Sequence, residues 1–263
     1  MRRILHISDL HFGKTRPDLL DPLVDLTNDL APDLVAFSGD LTQRAREHQF
    51  EEARAFIDRL EPPVLVTPGN HDTPLDNIWL RFAKPFGRYK RIISRNLEPE
   101  WHDEAVSVVS VNTVNRFSWQ RGRISRHTRD RVCRAFQGRD DGRIHVVMMH
   151  HPLEHGPEVE KRLMRGARSA VAELGDCGAD VVLSGHLHNA AVAPLTAEPR
   201  VLLVQAGTGL STRVRDEPNS VNLLHVEQGR IRVERYVAGE SPRFDLAETV
   251  RFEKDAEGWR EAG

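Results

Sequence analysis

Residues 4–13 read ILHISDLHFG, a short apolar run followed by two residues of the kinds that bind metal ions. The run from Ile4 to Ile7 is short and β-branched, as in a buried strand. Asp9 and His11 come directly after it, one residue apart, so a turn at the strand end can aim both side chains inward. Alone this pair is a weak signal, because a surface turn would have the same composition.

Four more apolar runs in the chain end in polar clusters of the same kind. These runs are Leu34 to Phe37, Val64 to Val66, Val146 to Met149 and Val181 to Leu183. The clusters that follow them are, in order, Gly39-Asp40, Gly69-Asn70-His71-Asp72, His150-His151-Pro152 and Gly185-His186-Leu187-His188. Residues at the carboxyl ends of neighbouring strands converge on one edge of a sheet, so we expect all five clusters to share one pocket.

The residue types in these clusters suit a pair of hard metal ions. Such ions near phosphate take carboxylate, amide oxygen and imidazole ligands, and two ions about 3.5 to 4 Å apart need a ligand that bridges both. Each cluster also has an ordinary interpretation, such as a strand-end turn, a plain loop or a chance pair among 13 histidines. Five complementary clusters at five strand ends favour a two-metal phosphoesterase site.

This set of motifs resembles the signature of the calcineurin-like metallophosphoesterase superfamily, which reads D-x-H, G-D, G-N-H-D/E, a histidine at a strand end and G-H-x-H. The match spans residues 9 to 188. The resemblance implies a four-layer α/β/β/α sandwich with two metal ions, of which Mn or Fe is favoured and Zn is an alternative. It implies that one ion is held by Asp9, His11, Asp40 and His188, and the other by Asp40, Asn70, His150 and His186. Asp40 would then be the bridge, and His151 a supporting residue.

Within the superfamily, the chain looks most like the class III cyclic nucleotide phosphodiesterase group. The similar features are Asp-Leu-His-Phe-Gly at the first motif, His-His-Pro, and Gly207-Thr208 followed by Ser211-Thr212-Arg213. We therefore expect hydrolysis of phosphodiesters, with 3',5'-cyclic nucleotides as the leading substrates. The alternatives are a nuclease or phosphomonoesterase that uses the same site, and a non-catalytic scaffold of the same fold.

The residues around the proposed ligand Asn70 suggest how a phosphodiester would be cleaved. Metal ions lower the pKa of bound water and neutralise phosphate oxygens, which makes in-line attack at phosphorus feasible at neutral pH. A poor leaving oxygen needs a proton, and His71 is the natural donor, with Asp72 orienting its imidazole. Asn70, His71 and Asp72 are therefore the candidate catalytic residues. The alternative is that His71 only caps a turn.

The spacing of apolar residues elsewhere predicts strands and helices in a single domain spanning residues 1–263. Helices are expected over Leu19 to Leu30, Phe50 to Leu60, Ser125 to Gln137 and Leu163 to Leu174. A further strand is expected around Ala105 to Val111. The later strands should form a second sheet stacked on the first; they are Val201 to Gln205, Val221 to Val226 and Ile231 to Val237, with Gln228-Gly229 as a hairpin turn.

Residues 73–100 interrupt this pattern and could be an insertion that covers the site. The part from Thr73 to Leu97 is basic and interleaves the aromatic residues Trp79, Phe82, Phe86 and Tyr89. Such a segment could stack a base and attract phosphate. The alternative is an amphipathic helix that packs its aromatic residues inward and displays its arginines and lysines to water.

Composition and cysteine content set expectations for partners and location. The formal net charge of −2 predicts no bulk attraction to nucleic acid or an anionic membrane, so the expected partner is a small phosphodiester or nucleotide. Nucleic acid is less favoured, and the oligomeric state, a dimer included, stays open. Cys133 and Cys177 lie in unrelated contexts, so we expect no disulfide and a reducing compartment. The short amino-terminal apolar run and the lack of a membrane-spanning run predict a cytoplasmic protein.

Overall fold

The computed structural model describes residues 1–75, 77–136, 142–156, 159, 162–213, 217–239 and 241–262. Its strands are β1 Arg2–Ile7, β2 Leu34–Phe37, β3 Val64–Val66, β4 Glu100–His102, β5 Val106–Val111, β6 Ile144–Met149, β7 Val181–Ser184, β8 Ala191–Leu195, β9 Glu198–Gln205, β10 Asn219–Glu227, β11 Arg230–Ala238, β12 Phe244–Asp255 and β13 Gly258–Ala262. Its α-helices are α1 Leu20–Leu30, α2 Glu47–Ile57, α3 Ile78–Ala83, α4 Gly87–Ile92, α5 Arg126–Phe136 and α6 Ala167–Asp176. Single 3-10 turns occur at Pro17–Leu19 and Asn70–Asp72.

The strands form two sheets. The first contains seven strands in the order β13-β12-β11-β10-β1-β2-β3, and the second contains six in the order β4-β5-β6-β7-β9-β8. Pairing is parallel from β1 to β3 and across β5, β6, β7 and β9. The ligand-bearing strands of each sheet therefore have their carboxyl ends at the same edge. The other strand pairs are antiparallel.

Three apolar clusters separate four layers. The middle cluster lies between the sheets and joins Ile4 and Leu34 of the first sheet to Val146 and Val181 of the second. The outer face of the first sheet packs against α1 and α2, and the outer face of the second packs against α5 and α6. Successive strand residues point to opposite faces, so strands buried on both faces have uninterrupted apolar runs. The predicted four-layer α/β/β/α sandwich is confirmed.

The ligand-bearing strands are divided between the sheets, which corrects the expectation of a single sheet edge. β1, β2 and β3 lie in the first sheet, whereas β6 and β7 lie in the second. The later strands also do not form a sheet of their own. β8 and β9 complete the second sheet, and β10 pairs with β1 to extend the first. Hydrophobic periodicity shows that a strand is buried, but it does not show which neighbour the strand pairs with.

The predicted helices and hairpin are confirmed, with shifts at their ends. The turn at Gln228-Gly229 joins β10 to β11, and Gly229 has the positive φ of 70° that such a two-residue turn favours. α6 begins at Ala167 rather than at Leu163. The predicted helix end at Gln137 lies outside the described residues.

Cys133 and Cys177 form a disulfide, with their Cα atoms 5.1 Å apart, so the expectation of two unpaired cysteines is wrong. Cys133 lies on α5 and Cys177 directly follows α6, and these helices pack together on the second sheet. The pairing follows from helix packing, which the local sequence around each cysteine does not reveal. The cysteine content therefore no longer supports a reducing compartment. No helix in the described part of the chain could span a membrane, and the cytoplasmic location stays a prediction.

Residues 73–97 contain α3 and α4, and the two helices differ in what they bury. In α4, Tyr89 is fully buried, as the amphipathic-helix interpretation predicts. In α3 that interpretation is wrong, because Trp79 and Phe82 are exposed whereas Arg81 is buried. Local composition predicts an amphipathic segment here. It does not predict that an arginine, rather than the aromatic residues, finds hydrogen-bond acceptors in the interior. A covering role for this segment stays a prediction.

Candidate metal centre

The seven predicted metal ligands lie together where the carboxyl ends of the two sheets meet. The first sheet provides Asp9 and His11 after β1, Asp40 after β2 and Asn70 after β3, and the second provides His150 after β6 and His186 and His188 after β7. Each of these residues is at most 8% exposed. Overlapping groups of their side chains, with His71 and His151, place ligand atoms within 4.8 Å of one another. The site is thus assembled from both sheets.

One half of the site is built around Asp9. The Oδ1 atom of Asp9 lies 3.1 Å from Nε2 of His188 and 3.4 Å from Nε2 of His11. The two Nε2 atoms are 3.2 Å apart. Three side chains from two sheets therefore point their ligand atoms at one small volume.

The other half is built around His150. Its Nε2 atom lies 3.2 Å from Oδ2 of Asp40, 3.1 Å from Oδ1 of Asn70 and 3.3 Å from Nδ1 of His186. The same Asp40 oxygen lies 3.8 Å from Nε2 of His11, which belongs to the first half. Asp40 therefore lies between the two halves.

Two buried carboxylate oxygens at the centre accept no hydrogen bond from any residue that the structure describes: Asp9 Oδ1 and Asp40 Oδ2. The other oxygen of each group is occupied. Asp9 Oδ2 accepts from Ser8 Oγ and from the main-chain N–H of His186, and Asp40 Oδ1 accepts from the main-chain N–H of His71. Buried polar atoms normally have partners, and a hard cation is the partner that suits a carboxylate between imidazoles. The donor set fits metal ions.

Hydrogen bonds to main-chain carbonyls fix two of the imidazole rings. A carbonyl oxygen can only accept, so Nδ1 of His150 donates to Ser38 O and Nδ1 of His188 donates to Arg213 O. In the neutral form of each ring, Nε2 is then the atom without a proton, and it is directed at the centre. Such outer contacts set the tautomer and orientation of metal-binding histidines.

Five of the seven proposed ligands have left-handed backbone conformations. The φ angles of Asp9, His11, Asp40, His186 and His188 lie between 52° and 73°. In a residue other than glycine this conformation is strained, typically by about 1 to 3 kcal/mol, and it persists only where the surrounding structure holds it. The sharp turns at the strand ends bring alternate side chains to one side, as the D-x-H and H-x-H spacings require.

Glycine is needed where the loop after β2 of the first sheet approaches His150 of the second. A Cβ atom on Gly39 would lie 2.8 Å from Nδ1 of His150 and 2.8 Å from the main-chain nitrogen of Gly69. Gly39 also has a φ of 101°, which side chains disfavour. The glycine before Asp40 therefore allows the first sheet to reach the histidine of the second.

The electrostatics of the site keep its carboxylates ionised. Burial alone would raise the pKa of Asp40, but attraction to His150 and His71 holds it well below its usual range. Burial would likewise raise the pKa of Asp9, but attraction to His188 and the close approach of His11 hold it well below normal. Burial opposes protonation of His150, yet Asp40 raises its pKa to about 9. This buried negative charge favours a bound cation.

His71 lies at the mouth of the site with its ring fixed. Its Nδ1 atom donates to the carbonyl of Gln43 over 2.9 Å, so Nε2 is the atom left to exchange protons. Nε2 lies 3.3 Å from Nη1 of Arg213, and the ring packs edge-on against that of His11 at 4.9 Å. Burial lowers the pKa of His71 to about 4 despite the attraction of Asp40, so the ring is neutral at pH 7.

Asp72 does not orient the imidazole of His71, which corrects the predicted role. Its carboxylate accepts from the main-chain N–H groups of Leu41, Thr42 and Gly69 and so joins the loops after β2 and β3. Burial and the nearby charge of Asp40 raise the pKa of Asp72 to about 7. The carbonyl of Gln43 takes the orienting role, and no sequence motif marks a main-chain carbonyl.

Three further residues shape the site beyond the predicted ligands. Ser8 donates to Asp9, Thr113 contacts Nδ1 of His151 over 2.8 Å, and Arg213 approaches His71. His151 also belongs to a potential metal-binding group with His150 and His186, and its supporting role stays a prediction. In the sequence, Arg213 stands out only as part of Ser211-Thr212-Arg213, and the sequence alone assigns it no role.

The chain belongs to the calcineurin-like phosphoesterase family, whose sequence profile matches residues 2–190. That range contains all seven proposed ligands and His71. It ends before β9, so Arg213 lies beyond the matched part.

Two curated relatives align with shorter stretches. The chain is 33% identical over 87 residues to one component of the nuclease SbcCD of Bacillus subtilis (strain 168), a match that covers 27% of this chain and 22% of that protein. It is 34% identical over 80 residues to glycerophosphodiester phosphodiesterase GpdQ of Enterobacter lignolyticus (strain SCF1), covering 26% of this chain and 29% of that protein. The chain thus matches less than a third of either relative's length.

The fold is also similar to that of solved structures. Purple acid phosphatase PPD1 from yellow lupin (Lupinus luteus) seeds superimposes with a TM-score of 0.74 over 97% of this chain and 54% of that chain. The sequence identity is 13%, so this likeness concerns the fold alone.

Proposed function

We propose that this chain hydrolyses phosphodiesters with two metal ions held between its sheets. The position of Asp40 carries the proposal. Its buried Oδ2 atom lies 3.2 Å from Nε2 of His150 and 3.8 Å from Nε2 of His11, and these histidines belong to different halves of the site. A carboxylate shared in this way is the bridging ligand that a dinuclear site requires.

The proposed ligand sets follow the two halves of the site. One ion would be held by Asp9, His11, Asp40 and His188, and the other by Asp40, Asn70, His150 and His186. Carboxylate, amide and imidazole donors without thiolate suit Mn or Fe, with Zn as an alternative. When bound, the ions would lower the pKa of water and neutralise charge on phosphate oxygens.

His71 is proposed to protonate the leaving oxygen. Its Nδ1–H is committed to Gln43, so Nε2 is the atom that can transfer a proton towards a substrate. Burial disfavours the protonated ring in the protein without substrate, whereas the negative charge of a bound phosphate would favour it. The neighbouring Asn70 would act through Oδ1 as a ligand, with its NH₂ group as a donor to a phosphate oxygen.

Arg213 is proposed to bind the phosphate beside His71. Its Nη1 atom lies 3.3 Å from Nε2 of His71 and 3.5 Å from Oε1 of Gln43. No carboxylate among the described residues forms an ion pair with this guanidinium. Guanidinium groups bind phosphate oxygens strongly through paired hydrogen bonds. A phosphate placed there would meet both the cation and the proposed acid.

The substrate class is proposed from the site and its surroundings. Both aligned relatives are named for activities on phosphodiesters, a nuclease and a glycerophosphodiester phosphodiesterase. A cavity of about 360 Å³ opens beside His186 and is lined by Trp119, Arg121 and Arg162. A flat ring and two cations suit a nucleotide, so a 3',5'-cyclic nucleotide is the first substrate to test.

A substrate panel on metal-loaded protein tests this function. Protein freed of metal and reloaded with Mn or Fe should hydrolyse at least one class among cyclic nucleotides, linear diesters and single-stranded DNA faster than phosphomonoesters. Faster turnover of monoesters would assign a phosphomonoesterase. Absence of turnover on every substrate, with both ions bound, would instead assign a non-catalytic scaffold of this fold.

A further inference from the structure

Five large apolar side chains form an exposed surface, here called the aromatic face, which consists of Ile78, Trp79, Phe82, Phe117 and Trp119. They are 66%, 78%, 42%, 73% and 56% exposed, respectively. The first three lie on α3 and the last two in the loop of residues 112–125. The rings of Phe82 and Phe117 are 5.6 Å apart, which joins the helix to the loop. Exposed apolar groups that occur together mark interaction surfaces.

The aromatic face is held in place by a buried arginine. Arg81 is 2% exposed, and its guanidinium donates to Thr73 Oγ1 and to the carbonyls of Arg116 and Ser118. It also lies 5.2 Å from the ring of Trp119. These contacts tie α3 to the loop while the apolar side chains of α3 point to water. The exposure is therefore built into the packing of the two elements.

Leaving these side chains in water forgoes a large stabilisation. Burial of large aliphatic and aromatic side chains is a main source of stability in folded proteins and in their complexes. In α3 the usual arrangement is reversed, since the arginine is inside and the tryptophan and phenylalanine are outside. A partner with an apolar interior would recover this energy.

The surroundings of the aromatic face are strongly basic although the chain is nearly neutral. Residues 77–97 and 105–129 together contain eleven arginines and lysines and no aspartate or glutamate, although Arg91, Arg126 and Arg129 pair with carboxylates outside these ranges. Lys84 is exposed at the end of α3. Arg116 lies 5.2 Å from the ring of Phe117, and both Arg116 and Arg121 donate to main-chain carbonyls. Within the described residues these three cations have no carboxylate partner. The partner should therefore be negatively charged.

The aromatic face adjoins the metal centre. Trp119 and Arg121 line the cavity of about 360 Å³ that also contacts His186. A partner on the aromatic face would therefore lie next to the proposed phosphoester site.

We propose that the aromatic face binds the surface of an anionic lipid bilayer, with its apolar side chains in the interfacial region and Lys84, Arg116 and Arg121 at the headgroups. Tryptophan and phenylalanine beside basic residues are the side chains that favour this region. Each cation near an anionic bilayer strengthens binding through attraction to the headgroups. This binding would present the metal centre to phosphoesters at the bilayer surface, although the binding itself does not depend on the proposed hydrolysis.

A bilayer fits better than single-stranded nucleic acid. Nucleic acid would need free ring faces for base stacking along a groove. Here the rings of Phe82 and Phe117 pack on each other, and Arg81 and Arg116 lie against Trp119 and Phe117. Ile78 has no ring at all, yet it is 66% exposed.

Vesicle sedimentation tests the proposal without any substrate. The full chain should bind vesicles of phosphatidylcholine mixed equally with phosphatidylglycerol, and should bind pure phosphatidylcholine and high-salt samples much more weakly. The double variant Trp79→Ala, Phe117→Ala should lose at least about tenfold in vesicle affinity, and Lys84→Glu at least about fivefold. The matched control is Leu246→Ala, which removes a side chain that is 52% exposed on β12 and should bind like the wild type.

Three outcomes would overturn the proposal. The first is no binding of the wild type to anionic vesicles, and the second is equal binding by the double variant and Leu246→Ala. The third is that the wild type binds single-stranded oligothymidine, or self-associates in the ultracentrifuge, but does not bind vesicles, and that only the double variant loses this property. That result would assign the aromatic face to nucleic acid or to a second copy. Thermal unfolding of each variant checks that the fold is intact.

Discussion

His150 Nε2 lies 3.2 Å from Asp40 Oδ2, although the two residues belong to different sheets. Asp40 follows β2 of the first sheet, and His150 follows β6 of the second. Gly39 permits this approach because a Cβ atom there would collide with the His150 ring. The candidate metal centre therefore requires the two sheets to be docked in the native arrangement.

Removal of metal should lower stability, because ions bound between docked sheets stabilise the folded state selectively. A ligand at one hundred times its dissociation constant adds about 2.7 kcal/mol. Dialysis against a chelator should lower Tm measurably, and addition of Mn should restore it. An unchanged Tm, with metal loss verified by elemental analysis, would contradict binding between the sheets.

His71→Ala should affect substrates according to their leaving groups. An aryl oxygen with a pKa of about 7 departs as an anion, whereas a ribose oxygen with a pKa of about 14 to 16 needs a proton, and positioned proton transfer is worth about 10² to 10⁴ in rate. We expect a large loss of kcat on cyclic nucleotide or alkyl diesters and a much smaller loss on nitrophenyl diesters. Metal content should be unchanged. Equal losses on both substrate classes would show that His71 orients the phosphate instead.

Arg213→Ala should weaken catalysis on all phosphoesters without loss of metal. A hydrogen bond to a charged group contributes about 1.5 to 3 kcal/mol, so kcat/KM should fall by about tenfold to one hundredfold. The His188 contact is made by the main-chain carbonyl of Arg213, so the substitution leaves it in place. Arg213→Lys should recover part of the loss, since it keeps the charge but not the paired donors. The control is Arg168→Ala on the exposed surface of α6, and equal kinetics in both alanine variants would exclude the phosphate contact.

The sequence predicts which side chains meet at the candidate site but not the groups that hold them in place. Asp9, Asp40 and His150 can be identified from the five motifs, because only a few residue types bind hard metal ions. The division of the strands between two sheets, the disulfide of Cys133 with Cys177 and the outward face of α3 depend on packing between distant segments. The local sequence does not reveal the role of Asp72 for the same reason, since the groups that donate to its carboxylate are main-chain N–H groups of two loops.

Acid should destabilise the protein partly through His6. This side chain is fully buried, its Nε2 atom lies 2.8 Å from Oγ of Ser38, and burial lowers its pKa to about 3 from a usual value of 6.5. The folded state thus favours the neutral ring, so the full contribution of His6 is present above pH 6.5 and is lost as the pH falls towards 3. The free energy of unfolding should lose about 1.4 kcal/mol per pH unit from this group.

Urea unfolding at pH 4.5, 5.5 and 6.5 would measure this slope. His6→Phe removes the titrating group and should have a shallower dependence than the wild type. His48→Phe changes an exposed histidine on α2 and serves as the control. Parallel slopes for all three proteins would contradict a buried neutral His6.

The most direct test of the dinuclear site is the metal content and activity of Asp40→Ala. Elemental analysis and phosphodiester hydrolysis should be measured together on the wild type, Asp40→Ala and the surface control Asp58→Ala, after identical loading with Mn. We predict two ions per chain and full turnover in the wild type and the control. Asp40→Ala should retain one ion or none and lose turnover, because both ions need this carboxylate. Two ions with near-normal turnover in Asp40→Ala would contradict the bridging role and the two-metal account built on it.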